Sequence, residues 1–298
     1  MSAATSIEWT DVTWNPVRGC ARVSAGCENC YAERVAYRFG RKPGSPYEGL
    51  TVLGKHGPRW VGEARYVPNM LGEPLTWRKP RRVFVNSMSD LFHEDIANEH
   101  IAEVFGVMAV TPRHTYQVLT KRPARMLQWF EWASEHYSLA TAEPRSVGWP
   151  LSNVWLGVSC ENQANADDRI PLLLDCPAAV RFISAEPLLE ELHLFAFLPG
   201  EERDQCLCIL NQGAGPRIPA LDWVIVGGES GPGARACDTN WIRAVRDQCE
   251  RAGVPCFVKQ LGSHLQTELA SVRFKNKGNA LQDMPADLRV RQFPEARP

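Results

Sequence analysis

The sequence predicts an α/β protein, a partial or complete (β/α) barrel of about six to seven parallel strands. Three observations lead there. Short β-branched apolar runs alternate with helical stretches along the chain. The runs are apolar almost throughout, as strands covered on both faces are. Polar residues gather just after the runs instead of spreading evenly, as they do at the carboxyl mouth of a parallel barrel.

In chain order, a short strand is expected just before Cys20, and a helical run follows Cys30 directly. Strands are expected at 82–86, 115–119, 153–158, 179–183, 222–226 and 255–259, with helices at 99–110, 124–135, 166–174 and 241–252. The last helix has the clearest punctuation: Asp238-Thr239-Asn240 favours its start, and Gly253 with Pro255 beyond favours its stop. Two stretches break the rhythm. Residues 40–78 hold Pro43, Pro46, Pro58, Pro68 and Pro74 with many glycines and read as a long insertion between the first helix and the next strand. Residues 199–221, with Gly213 and Pro216, read as a second long loop. The tail from Lys275, and within it 281–293, reads as a closing element. The expectation is one domain over 1–298, with that insertion and a closing segment at 275–298.

Composition narrows the function classes. With 44% hydrophobic residues, 298 residues suffice for one large core, and a net charge of −1 means that any basic surface must be local. The first ten residues have no basic stretch and no apolar core, so a secretory signal is not expected. No run approaches the ~20 apolar residues of a membrane helix, so no membrane association is expected. Seven of the ten cysteines lie scattered, as reduced thiols in a cytoplasmic protein do. A cytoplasmic location is the expectation.

The other three cysteines, Cys20, Cys27 and Cys30, share one glycine-flanked loop ahead of a helical run. Three thiolates are one short of a closed four-ligand site, so the loop suggests a metal centre with an open position, iron–sulfur or zinc. The strand-end residues offer further chemistry. They are Asn86, Ser87, Ser89 and Asp90; Lys121 and Arg122; Ser159, Cys160 and Glu161; Ser184 and Glu186; Gly227, Gly228 and Glu229; and Lys259 with Gln260. Lys121 and Arg122, with Arg125 a turn later, offer cations for a phosphate. Each has a plainer reading. Ser87, Ser89 and Asp90 suit a helix cap, Glu186-Pro187 a turn, Gly227-Gly228 a loop with positive φ, and Cys160 a buried thiol.

The run Asn15-Pro16-Val17-Arg18-Gly19-Cys20, followed by Cys27-x-x-Cys30-Tyr31-Ala32, resembles the cluster loop of radical S-adenosylmethionine (radical SAM) enzymes. It is most similar to the branch that includes spore photoproduct lyase. Residues 82–92, 118–123, 183–188 and 226–230 extend a second resemblance, to a phage- and prophage-associated three-cysteine family of unknown function, over nearly the whole chain. The spacing differs from the common pattern: six residues separate Cys20 from Cys27, and Asn29 precedes the third cysteine.

The resemblance implies a barrel of the radical SAM type with a [4Fe–4S] cluster on Cys20, Cys27 and Cys30. It implies S-adenosylmethionine on the open iron and a flavodoxin- or ferredoxin-like electron donor. A 5′-deoxyadenosyl radical would then act on a nucleic acid or nucleotide, in repair or modification. Asn86, Ser87, Ser89 and Asp90 would replace the usual amine-binding segment. Ser159 and Ser184 would meet carboxylate or ribose, Gly227 and Gly228 would admit the adenosyl group, and Cys160 would donate a hydrogen atom. Two alternatives stay open. A non-catalytic zinc protein that binds nucleic acid would draw a fourth ligand from His56 or His93. A barrel lyase or hydrolase would use Glu186 and Glu229 as acid and base.

Overall fold

Runs such as Val83-Phe84-Val85 become strands because β-branched and aromatic side chains pack well on a pleated surface covered from both sides. The computed structural model describes residues 5–137, 149–200, 219–266, 271–273 and 277–295. Most of the expected 199–221 loop, and Lys275, lie outside these residues.

The first elements are β1 (Val12–Trp14), β2 (Val17–Gly19), α1 (Tyr31–Gly40), β3 (Thr51–Gly54), β4 (Gly57–Trp60), β5 (Ala64–Tyr66) and the short α2 (Pro68–Leu71). Then come β6 (Arg82–Val85), α3 (Asn98–Ala109), β7 (Thr115–Thr120), α4 (Pro123–His136), β8 (Val154–Ser159), α5 (Gln163–Asp175) and β9 (Val180–Ala185). The chain continues through β10 (Trp223–Gly227), β11 (Cys237–Asp238), α6 (Thr239–Ala252), β12 (Cys256–Gln260), β13 (His264–Gln266) and β14 (Ser271–Arg273).

Seven strands form one parallel sheet in the order β1-β6-β7-β8-β9-β10-β12. No pairing joins β12 back to β1 among the described residues, so the sheet is open, consistent with a partial barrel. The six strands expected from 82 onward all appear in it, each within one residue of its expected start. The seventh differs. The strand immediately before Cys20 is β2, and it lies outside this sheet, pairing antiparallel with β5. The sheet's first strand is instead β1, which lies beside β6 with Trp14 opposite Val85. Pro16 stands between β1 and β2 and lacks the N–H a continuing ladder needs.

Contacts divide the chain into two compact units, 1–156 with 176–179, and 157–175 with 180–298. In the first, Phe105 stacks on Trp129 at 4.4 Å, and Phe130 and Trp149 pack edge-on around them. The 40–78 stretch belongs to this unit and is folded: β3 and β4 make a hairpin that packs on α1, and β5 holds β2. In the second, Phe182, Trp223 and Phe257 are fully buried. The Asp238 side chain caps α6 by accepting from Asn240 N at 2.8 Å, and Gly253 ends it at φ 64°. Residues 290–292 run antiparallel along β12, with bonds between Val258 N and Val290 O (2.8 Å) and between Gln292 N and Cys256 O (2.9 Å). They cover backbone groups that an edge strand leaves open. Among the described residues no helix is long and apolar enough to cross a membrane.

Packing across β8 and β9 gives a direct test. A Cβ on Gly157 would lie 2.5–2.6 Å from the buried Phe182 ring. Gly157→Ala is expected to lower stability by about 1–3 kcal/mol in urea denaturation, and Phe182→Leu in the same chain to recover part of that loss. Additive losses in the double variant would show that the two residues do not compete for one space.

Candidate functional site

The cysteine loop hangs between two fixed ends. At its entry, Gly19 sits at φ +87°, and a Cβ there would lie 2.2 Å from Glu63 O, so β2 and β5 approach as only glycine permits. At its exit, Cys30 stands at the N-cap of α1. Between them a 3-10 turn over Ala25–Cys27 closes with Cys27 N donating to Ser24 O at 3.0 Å. Arg22 ties the loop to α1 through Glu33, with its Nε 2.8 Å from Oε1, and Glu33 also accepts from Trp60 N at 3.0 Å. Cys20, Cys27 and Cys30 are half-buried free thiols. Among the described residues no three His, Cys, Asp or Glu side chains converge as ligands of a single metal ion would.

Asp90 organises the strand ends beside that loop. It is buried, and each carboxylate oxygen takes two bonds. Oδ1 accepts from Phe92 N (3.0 Å) and Thr120 Oγ1 (2.7 Å); Oδ2 accepts from Lys121 N (3.0 Å) and Arg122 Nη1 (3.2 Å). Arg122, also buried, donates through Nε to both Glu94 oxygens at 3.1 Å, through Nη1 to Cys20 Sγ at 3.8 Å and through Nη2 to Ala21 O at 3.3 Å. Burial opposes its charge, but Asp90, Cys20 and Glu94 outweigh that and hold its pKa above the ordinary value. Burial, reinforced by Asp90 and opposed by Arg122, pushes the Cys20 thiol up to about 12. Burial also raises Cys30, with Lys121 working against it. Thiols raised in this way release protons when they bind a metal.

The turn after β6 grips the loop's entry. Asn86 adopts φ 59°, a left-handed conformation that asparagine tolerates better than most residues. Its Oδ1 accepts from Val17 N at 3.3 Å, and Ser89 Oγ donates to Val17 O at 2.8 Å. Asn15 Oδ1 accepts from Ser87 Oγ (3.1 Å) and Met88 N (3.0 Å), and Tyr31 OH donates to Ser87 O at 2.6 Å.

Several sequence expectations change here. Asp90 is not free for an amine, because four bonds fill the lone pairs of its two oxygens. Arg122 is committed to Asp90, Glu94 and Cys20 and so is not presented to a phosphate, while Arg125 Nη2 donates to Asn98 Oδ1 at 2.5 Å. Lys121 is half-buried, and its charge reaches Cys30. His56 is exposed in the turn of the β3–β4 hairpin. His93 is buried, with Nδ1 accepting from Asp95 N at 3.2 Å; burial and the Arg122 charge keep it below its usual pKa, hence neutral.

The second unit gathers the remaining candidates at its own strand ends. Cys160 is fully buried, and its N–H donates to Ser184 O at 2.9 Å. Ser159 and Ser184 are buried, and Ser159 O accepts from Arg169, which also pairs with buried Glu161 at 3.1 Å. Glu186 takes Lys259 Nζ at 2.6 and 2.7 Å and Gln260 Nε2 at 3.0 Å. Glu229 takes Arg235 at 2.6 Å, so each carboxylate of the acid–base alternative faces its own cation. The register of β10 against β12 shifts between Val226 and Gly227. A Cβ on Gly227 would lie 3.1 Å from Gln260 O, and one on Gly228 2.3 Å from Leu261 O. The close approach these glycines allow is therefore to the chain's own backbone, not to an adenosyl group.

Residues 4–288 match the family described as "Protein of unknown function (DUF5131)". The chain belongs to that family. No curated protein and no solved structure matches it. In this DUF5131 chain, pattern reading found the cysteine loop and placed Thr120 at a strand end but missed Glu94, Asn15 and the Arg22–Glu33 pair. The available signal was opposite charges, Asp90 and Arg122, placed just past two neighbouring strands.

The buried pair predicts a large stability effect. Arg122→Ala leaves Asp90 buried without its cation and is expected to cost about 3–5 kcal/mol in urea denaturation. Arg78→Ala, at an exposed position, should change stability by less than about 0.5 kcal/mol. Equal midpoints for the two variants would remove Arg122 from the framework.

Proposed function

We propose that the chain is a radical SAM enzyme that holds a [4Fe–4S] cluster on Cys20, Cys27 and Cys30 and acts on a nucleic acid or nucleotide. One observation carries the reading: three free thiols share one loop, with Arg122 donating to Cys20 and the Lys121 charge beside Cys30. Thiolates of such a cluster sit on separate irons, so three cysteines that do not converge on one point are compatible with it. Held by those three cysteines, the cluster would supply one-electron reductive cleavage of S-adenosylmethionine to methionine and a hydrogen-abstracting 5′-deoxyadenosyl radical, the electron coming from a flavodoxin- or ferredoxin-like donor.

The chain's own residues supply position and charge. Arg122 and Lys121 offset negative charge at the thiolates, and hydrogen bonds to cluster sulfurs are among the factors that set reduction potential. Asn86, Ser89 and Asn15 hold the loop entry so that Cys20 keeps its place relative to α1. The open sheet of parallel strands supports a partial barrel of the radical SAM type, and its polar strand ends suit a site at their carboxyl side.

Anaerobic reconstitution with iron and sulfide tests the reading. The wild-type chain is expected to hold about four irons, Cys27→Ala to lose the brown chromophore, and Cys176→Ala, a scattered buried thiol, to keep it. Reduced holoprotein given S-adenosylmethionine should form 5′-deoxyadenosine. Equal iron in both cysteine variants, or stoichiometric zinc with no response to S-adenosylmethionine, would end the proposal.

A further inference from the structure

The chain's net charge of −1 conceals a cationic face. Residues 31–60 carry five Lys and Arg besides Arg34, against two Glu. Glu33 is buried and paired with Arg22, and Glu48 accepts from Gly44 N at 2.7 Å. Arg38, Arg41, Lys42, Lys55 and Arg59 are exposed, and none of the five is in an ion pair among the described residues. Arg34, Arg38 and Arg41 follow the i, i+4, i+7 spacing that puts side chains on one helix face. Tyr31, Val35 and Phe39 make the adjacent row, and both rings are open to solvent, at 48% and 47% exposure. The β3–β4 hairpin packs on α1, adds Lys55 and Arg59, and presents Val52 and Leu53 outward at 53% and 66%.

Like charges at this spacing repel one another, so the face gains from an anionic partner. Guanidinium groups bind phosphate through paired, directional donors. Exposed rings set between them suit unpaired bases, which stack without regard to sequence. We propose that this face of α1 and its hairpin binds a single-stranded nucleic acid, with Arg38, Arg41, Lys42, Lys55 and Arg59 on the phosphates and Phe39 under a base. A strand lying along α1 runs about 15 Å from Arg41 to Tyr31, the residue next to Cys30. That the bound strand is the substrate rests on the function proposed above; the binding itself does not.

The experiment uses the full chain and fluorescence anisotropy with labelled 20-nucleotide single strands of DNA and of RNA across a salt series. Arg38→Ala, Arg41→Ala and Lys42→Ala combined should weaken binding at least tenfold. The same change should flatten the salt slope by about two, near 0.7 for each phosphate no longer neutralised. Phe39→Ala should weaken binding about tenfold at unchanged slope. The double variant Arg78→Ala with Lys79→Ala removes two exposed charges elsewhere and should bind within twofold of wild type. Thermal melts confirm that every variant is folded. Wild-type chain that binds neither strand, a triple variant that matches the control, or a surface that takes only an acidic protein would each overturn the proposal. Iron content and 5′-deoxyadenosine are read on the same proteins. Strand binding as expected in a chain that holds no iron would keep this inference and remove the cluster.

Discussion

Asp90 carries one negative charge into the interior of the first unit, and the arrangement around the cysteine loop depends on how that charge is satisfied. Its four bonds come from its own turn, from Thr120 at the end of β7, from the Lys121 backbone and from the Arg122 guanidinium. Without them a buried carboxylate would be expensive to keep ionised. With them it locks the end of β6 to the end of β7 and fixes a guanidinium whose other donors reach Cys20 and Ala21. One carboxylate thus sets the position of a cation, and that cation sets the near end of the loop.

The same turn secures the loop from the other side. Asn86, in its left-handed conformation, and Ser89 bracket Val17 through its N–H and its carbonyl, while Asn15 reaches back to Ser87 and Met88. A site that must hold reactive groups within a fraction of an ångström needs such support behind the groups themselves. Polar residues after a strand therefore divide into those that would face a ligand and those that hold its frame. In this turn, Asp90 and the Asn86 side-chain oxygen belong to the frame.

Much of the fold was legible because strands buried on both faces read as unbroken apolar runs, as in β8 and β10, where every residue is buried. Both ends of α6 were legible, the start from a capping aspartate and the stop from a left-handed glycine. The sheet's first strand was not, since Val12–Trp14 is too short for any periodicity. Nor was the β3–β4 hairpin, because Val52 and Leu53 are both exposed and no alternation marks a buried face. Of the site, the cysteine loop was legible from spacing alone. The Asp90–Arg122 pair was not, because its members come together only when β6 and β7 lie side by side. Gly228 did signal a close approach, but sequence carries no hint that the approaching group is Leu261 of the same chain.

Arginine shows why composition could not divide structure from recognition. Arg18 lies buried over the Tyr47 ring at 4.9 Å, Arg22 pairs with Glu33, and Arg122 with Asp90 and Glu94. All three are absorbed into the framework that surrounds the cysteine loop. Arg38 and Arg41 stand on and just past α1, close by in sequence, yet are exposed and lack carboxylate partners among the described residues. Residue type and local density are the same in both groups. What differs is whether a carboxylate or a ring from elsewhere in the chain has been folded against the guanidinium. Where it has, the charge holds structure. Where it has not, the chain presents a cation to whatever anion comes next to the loop.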